Sequence, residues 1–135
     1  MRKIALLLCC VVSVLWCIPD ASFAARVEPV YDARIQVPPS VKAEDIPKAI
    51  KSVLIERGWT VQREDGQVIE SKIFVRSHTA DIRIPFDKEF IHIQYVASTN
   101  LLYSVEQGTK HIHRNYNKWI RLLERDIMAS LIRLQ

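Results

Sequence analysis

The stretch VIESKIFVRSHTADIRIPFDKEFIHIQY, residues 68–95, decides the fold of this chain. Apolar and polar residues alternate along it, which is typical of β-strands that bury one face and expose the other to water. In its middle third, Ile82 falls on the apolar side and Asp81 on the polar side. Short polar turns at residues 77–78 and 87–89 divide the stretch into three consecutive strands. The pattern therefore predicts an antiparallel meander.

Further strands are predicted on the N-terminal side of this stretch. The dipeptide Asp65-Gly66 is typical of a two-residue hairpin loop, and it extends the meander to four strands. Residues 31–37 also alternate and are followed by two prolines. Proline cannot donate a backbone hydrogen bond to a neighbouring strand, so this segment is expected to lie at an edge. We therefore allow for one extra N-terminal edge strand.

Two segments have the apolar spacing of amphipathic helices. In residues 40–58 apolar residues recur every three to four positions, Pro47 fits the first turn, and Gly58 is a natural terminator. The same period returns at about Asn115 and continues almost to the C-terminus. Two helices that pack on one face of an antiparallel sheet form a two-layer sandwich. We therefore predict an α+β fold in the order helix, strands, helix.

The first 24 residues have the organisation of a secretory signal peptide. Arg2 and Lys3 precede an apolar run over residues 4–18, and Ser22 and Ala24 supply the small residues of a cleavage site. The run is shorter than the ~20 apolar residues that a membrane-spanning helix needs. We therefore expect cleavage after Ala24 and export to the periplasm or the extracellular space. The predicted organisation is a signal peptide over residues 1–24, an extended lead-in over residues 25–39 and a single α+β domain over residues 40–135.

The cysteines and the charge limit the partners that this chain is expected to have. Cys9, Cys10 and Cys17 all lie in the predicted signal peptide, so the mature chain contains no cysteine for a disulfide. None of the three follows the small residues that lipidation requires, and we expect membrane attachment only if one of them is lipidated. The formal net charge of the chain is +4. Because the chain is expected to be exported, nucleic acid is not an expected partner despite this charge.

Polar residues gather at one end of the predicted sheet, because alternate turns of a meander meet at the same edge. That end carries the turn at residues 76–79 and the segment at residues 98–100. A further polar segment, residues 111–119, leads into the last helix, and the sequence leaves open which end it packs against. If it packs beside the first two segments, a polar cleft results. The candidate binding residues are Arg76, His78, Asn100, Arg114, Asn115 and Tyr116.

The same segments allow a metal site as an alternative. His111 and His113 share a face in an extended chain, and His78 could supply a third ligand. The competing and favoured interpretation is a polar loop that ends in a helix cap, for which Asn115 or Asn117 is suited. Both interpretations remain open at the level of the sequence.

Other polar and aromatic residues are expected to serve the fold. Arg76 and Asp81 would lie almost opposite each other across a hairpin, as a cross-strand ion pair. Trp59 and Trp119 border apolar patterns and are expected to pack on the core. The sequence contains no nucleophile motif, glycine-rich phosphate loop or cysteine metal site, so we name no catalytic residue and no cofactor.

Three segments carry a resemblance to known sequences: RGWTV at residues 57–61, RSHTADIRIPF at residues 76–86 and HIHRNYNKWI at residues 111–120. They resemble a group of small, uncharacterised bacterial exported proteins, some of which look like lipoproteins. The resemblance spans most of the mature chain and implies a location in the bacterial envelope. It implies no activity, substrate or catalytic residue. This chain departs from the lipoprotein-like members because it lacks their lipobox.

Together these features predict a non-enzymatic binding or accessory protein of the bacterial envelope. The expected partner is an envelope protein or a small anionic ligand, held at the end of the sheet that carries Arg76, His78 and Asn100. A histidine metal-binding protein and a hydrolase without a recognisable motif are the alternatives.

Overall fold

The computed structural model describes residues 26–135, so the predicted signal peptide lies outside the described residues. Residues 26–135 have an α+β fold with two helices and eight strands. In chain order the elements are β1 (Val27–Pro29), β2 (Ala33–Gln36), α1 (Asp45–Glu56), β3 (Trp59–Asp65), β4 (Val68–Val75), β5 (His78–Pro85), β6 (Phe90–Thr99), β7 (Ser104–Glu106), β8 (Thr109–His113) and α2 (Arg114–Arg133).

The larger sheet has five antiparallel strands in the order β2-β6-β5-β4-β3. Strands β3 to β6 follow one another as the alternating pattern predicts, and β2 lies at an edge beside β6. The helices and the antiparallel strands confirm the α+β class. The four-stranded meander is too simple, however, because the described chain forms eight strands in two sheets.

The second sheet has three short strands in the order β1-β8-β7, and the sequence analysis missed it. These strands are three to five residues long, which is too short for alternation to stand out. A two-residue loop joins β7 to β8, and both of its residues, Gln107 and Gly108, have positive φ. This is the backbone of a type I′ hairpin, whose twist matches that of paired strands. The small sheet joins the start of the domain to the start of α2.

Both helices contribute to a single core on one face of the larger sheet. Their buried stripes are Ile46, Ala49, Ile50, Val53 and Leu54 on α1, and Ile120, Leu123, Ile127 and Leu131 on α2. The strands supply buried isoleucines at alternate positions, such as Ile82 and Ile84 on β5. Trp59 is also buried in this cluster, as expected, and Trp119 packs against it. No helix in residues 26–135 is long and apolar enough to cross a membrane.

Strand register differs from the expectation at three places. Asp65 pairs with Val68, so the first hairpin loop consists of Gly66 and Gln67 instead of Asp65-Gly66. Asp81 pairs with Lys72, whose ammonium lies 3.4 Å from its carboxylate. The expected pairing of Asp81 with Arg76 is therefore wrong, because Arg76 belongs to the turn. A bulge at Val96 shifts the register of β6 against β5.

Candidate binding surface

The turn between β4 and β5 consists of Arg76 and Ser77, because Val75 and His78 form the last pair of the hairpin. Arg76 is exposed and has a φ of 56°. The left-handed conformation costs a residue other than glycine roughly 1–2 kcal/mol. The fold thus places a strained arginine at the tip of a hairpin, and this kind of strain is often found at functional sites.

His78 and Asn100 are in direct contact, as their shared end of the sheet predicts. The Nδ1 atom of His78 lies 2.7 Å from the carbonyl oxygen of Asn100. A carbonyl oxygen only accepts, so Nδ1 carries a proton and donates it, and Nε2 is the acceptor in the neutral ring. The side-chain amide of Asn100 donates to the carbonyl oxygen of Ser77 at 2.8 Å. Asn100 itself has a φ of 56°, and on the other side of this contact Arg76, the residue before Ser77, also has a positive φ.

The start of α2 lies at the same end, which the sequence left open. The backbone N–H of His113 donates to the carbonyl oxygen of Leu101 at 2.8 Å. The N–H of Arg114 donates to the carbonyl oxygen of Arg26, also at 2.8 Å. These two bonds bring the first described residue, the β6–β7 connection and the first turn of α2 together. We call the surface formed by Arg26, Arg76, His78, His113 and Arg114 the basic end.

His113 caps α2, a role that the sequence analysis gave wrongly to Asn115 or Asn117. Its Nδ1 accepts a hydrogen bond from the backbone N–H of Asn115 at 3.1 Å. Burial lowers the pKa of His113, and electrostatic interactions with Arg114, His78 and Arg26 lower this pKa further. The neutral ring is therefore favoured, which leaves Nδ1 free to accept. These three groups come from three different segments, which the backbone bonds from His113 to Leu101 and from Arg114 to Arg26 and the contact of His78 with Asn100 bring together.

Three of the segments that form the basic end contain no acidic residue. Residues 74–79, 98–105 and 109–115 contain no aspartate or glutamate. Within residues 26–135, the ion pairs leave out Arg26, Arg76 and Arg114. The acid that follows Arg26 most closely is Glu28, which accepts from Asn117 and lies 3.9 Å from Arg121. Arg26, Arg76 and Arg114 are thus free of ion pairs within residues 26–135, and the exposed acid Asp32 lies beside the aromatic part of this end, where its Oδ1 accepts from the backbone N–H of Tyr95.

Large apolar side chains are exposed beside these cations. Leu102 and Tyr103 are each 39% exposed, and Phe74 is 66% exposed two residues before Arg76. Leu102 has a φ of 54°, unusual for a bulky residue, while Leu101 before it is buried in the core. The ring of Tyr103 stacks on that of Tyr95, with 4.6 Å between their centroids. The loop is therefore held in place and still presents apolar surface to solvent.

Tyr116 and Asn117 serve the fold. Tyr116 is fully buried, packs edge-on against Tyr95 at 5.5 Å, and has no hydrogen-bond partner for its hydroxyl. Burial raises its pKa far above the usual value. Tyr116 cannot contact a ligand from this position, so its prediction as a binding residue is wrong. Its neighbour Asn115 is exposed, as a binding residue must be.

Asn117 anchors the beginning of the domain to α2. Its Oδ1 accepts from the backbone N–H of Tyr31 at 3.0 Å. Its Nδ2 donates to the carbonyl oxygen of Pro29 at 2.8 Å and to the carboxylate of Glu28 at 3.1 Å. The side chain is 1% exposed, so this network is buried. No sequence signal separates this asparagine from Asn115, two residues earlier.

The described residues do not support the histidine metal site. Among residues 26–135, no group of three or more His, Cys, Asp or Glu side chains is placed to hold a metal ion. His78, His111 and His113 are included in that search. His113 uses its Nδ1 to cap α2, and His78 uses its Nδ1 to hold Asn100.

A second polar surface is the open face of the larger sheet, which carries cavities of about 300 and 200 Å³. Glu70 and Arg83 line both of them. Charges on this face are largely paired, through Lys72 with Asp81 and through the exposed pair of Arg63 and Asp65. The face therefore lacks the one-sided charge of the basic end.

Comparison with known proteins found no matching family model, no matching curated protein and no matching solved structure.

Proposed function

We propose that this chain is an exported, non-enzymatic binding or accessory protein of the bacterial envelope that binds an anionic group through the basic end. The observation that carries the proposal is the convergence of Arg26, Arg76 and Arg114, none of which forms an ion pair within residues 26–135. Arginine donates hydrogen bonds in a fork that suits carboxylates and phosphates. The anion belongs either to an envelope protein or to a small ligand.

The strained backbone supports this placement. Arg76, Asn100 and Leu102 have positive φ, and all three lie at or beside the basic end. Such conformations cost stability and persist where the surrounding structure enforces them. The hydrogen bonds among Ser77, His78 and Asn100 enforce them here. A rigid loop loses little conformational entropy when it binds, which favours affinity.

The test compares two double variants that remove the same charge. Arg76→Ala with Arg114→Ala removes two arginines from the basic end. The control, Arg83→Ala with Arg133→Ala, removes two exposed arginines from the sheet face and from the end of α2. The ¹⁵N-labelled mature chain is titrated with inorganic pyrophosphate and followed by NMR. We expect saturable amide shifts at residues 76–78, 100–102 and 113–115 in the wild type and the control pair.

In the basic-end pair these shifts should be lost, because both arginines that donate to the anion are absent. Unfolding in urea confirms that each pair remains folded, since exposed substitutions usually change stability by less than about 0.5 kcal/mol. Shifts that spread over the whole surface, or that survive equally in both pairs, would refute the proposed location.

A further inference from the structure

Exposed apolar residues beside the basic end narrow the class of anion that it suits. Leu102 and Tyr103 project from the connection that also carries Asn100, which holds His78. A small soluble anion would need the arginines only. A membrane interface takes up leucine and tyrosine side chains among its headgroups, and anionic lipids attract the basic residues beside them.

Core packing does not explain why a leucine occupies position 102. Leu101 fills the core, and the left-handed φ of Leu102 leaves its side chain partly exposed to solvent. Asparagine adopts this conformation more readily than leucine does. Tyr103 is held against Tyr95, so an aromatic ring is fixed beside this leucine. Both side chains are thus presented by an ordered loop.

The chain also begins its described part at this end. Arg26 bonds to Arg114 through its carbonyl oxygen, and residues 1–25 precede it. If the predicted signal peptide is held in the membrane during export, Arg26 stays closer to the lipid than the opposite end of the sheet does. Cleavage after Ala24 would add an α-amino group one residue before Arg26, and this group is largely protonated at neutral pH. Before cleavage the basic end would thus be held near the membrane, and after cleavage the new α-amino group would add positive charge to it.

We infer that the basic end docks on the anionic headgroups of an envelope membrane, with Leu102 and Tyr103 inserted at the headgroup layer. The inference rests on the proposed binding of an anion at the basic end, and it assigns that anion to a lipid headgroup in place of an envelope protein or a small ligand. Arginines supply attraction to the headgroup phosphates, and the apolar pair adds contact that a soluble anion cannot offer. The open face of the sheet, where Arg63 and Lys72 are paired with acids, is left facing water.

The experiment uses residues 25–135, which include both sheets, both helices and their common core. This chain is sedimented with vesicles of phosphatidylcholine alone or with a quarter phosphatidylglycerol, at about 20 mM salt. We expect binding to the anionic vesicles and none to the neutral ones. Arg76→Ala with Arg114→Ala should weaken binding about 25-fold, at about five-fold per arginine, while Arg83→Ala with Arg133→Ala leaves more of it intact.

Leu102→Asn tests the apolar contact without straining the loop. Asparagine suits the positive φ, so the variant should fold at least as well as the wild type and bind anionic vesicles about five-fold more weakly. Equal binding to neutral and anionic vesicles, or equal losses in the two arginine pairs, would overturn the inference.

Failure of the inference can be told apart from failure of the proposed function. If the anionic vesicles do not bind but pyrophosphate still shifts the basic-end amides, docking on lipid is wrong and a soluble anion or an acidic protein takes its place. If neither probe binds, both proposals are wrong.

Discussion

His113 shows how one side chain links the fold to the basic end. Its Nδ1 accepts from the N–H of Asn115, so the first turn of α2 depends on an unprotonated ring. Burial and then electrostatic interactions with Arg114, His78 and Arg26 keep its pKa below the usual value. A proton would remove the acceptor and would place a positive charge at the N-terminus of a helix, where it is unfavourable.

This arrangement predicts a loss of stability in mild acid. The unfolded chain takes up a proton on His113 at about pH 6.5, whereas the folded chain takes it up only at lower pH. Because the unfolded state then binds more protons, the free energy of unfolding should fall as the pH drops below about 6.5. His113→Asn keeps an acceptor at every pH and should flatten this dependence. Urea unfolding at pH 7.5 and 5.5 measures it.

Two companion variants make that experiment specific. His113→Ala lacks any cap and should lose about 1 kcal/mol at pH 7.5. His92→Asn changes a histidine on the open sheet face and should keep the pH dependence of the wild type. If His113→Asn loses as much stability in acid as the wild type does, the cap is not the acid-sensitive contact.

At the scale of elements, α2 and the beginning of the domain are joined through Asn117. Three hydrogen bonds from this buried side chain reach Tyr31, Pro29 and Glu28. Asn117→Ala should cost about 2–3 kcal/mol, because it leaves partly buried polar groups without partners. Asn115→Ala is the matched control two residues earlier, and it should change stability by less than about 0.5 kcal/mol. Equal unfolding midpoints in urea for both variants would contradict this role.

The elements that could be predicted are those with a long apolar period. Residues 68–95 alternate over three strands, and α2 repeats its apolar spacing from Tyr116 to Leu131, so both survive any error at single positions. Strands β1, β7 and β8 have no such length. Their pairing depends on contacts between residues distant in sequence, such as Val27 with His113.

The candidate site could be predicted only where the meander determines which residues meet. His78 and Asn100 share an end of the sheet because the meander dictates it, and the structure brings them into contact. Arg114 was a candidate whose place the sequence left open, and Arg26 was not predicted, because the position of both follows from the pairing of β1 with β8. Tyr116 was misassigned because it was grouped with the polar segment before α2, although it stands four residues before Ile120 on the buried stripe of that helix.

At the scale of the whole molecule, the described charges are distributed unevenly. Ion pairs hold cations against acids elsewhere, for example Arg57 with Asp126 between the helices and Lys51 with Glu64 beside the sheet. Within residues 26–135, the basic end combines three arginines that form no ion pair with exposed apolar residues. A modest net charge of +4 thus conceals a one-sided distribution. Such asymmetry orients a protein toward an anionic surface.

Flotation with the host's own envelope membranes at low salt tests most directly whether the basic end binds an anionic membrane surface. The wild-type chain is compared with Arg76→Glu plus Arg114→Glu, and with Arg83→Glu plus Arg133→Glu as a control of equal net charge. The account predicts that the wild type floats with the membranes, that the basic-end pair stays in the soluble fraction, and that the control keeps most of its binding. Equal release of the two reversed pairs would show that net charge, and not the basic end, governs the interaction.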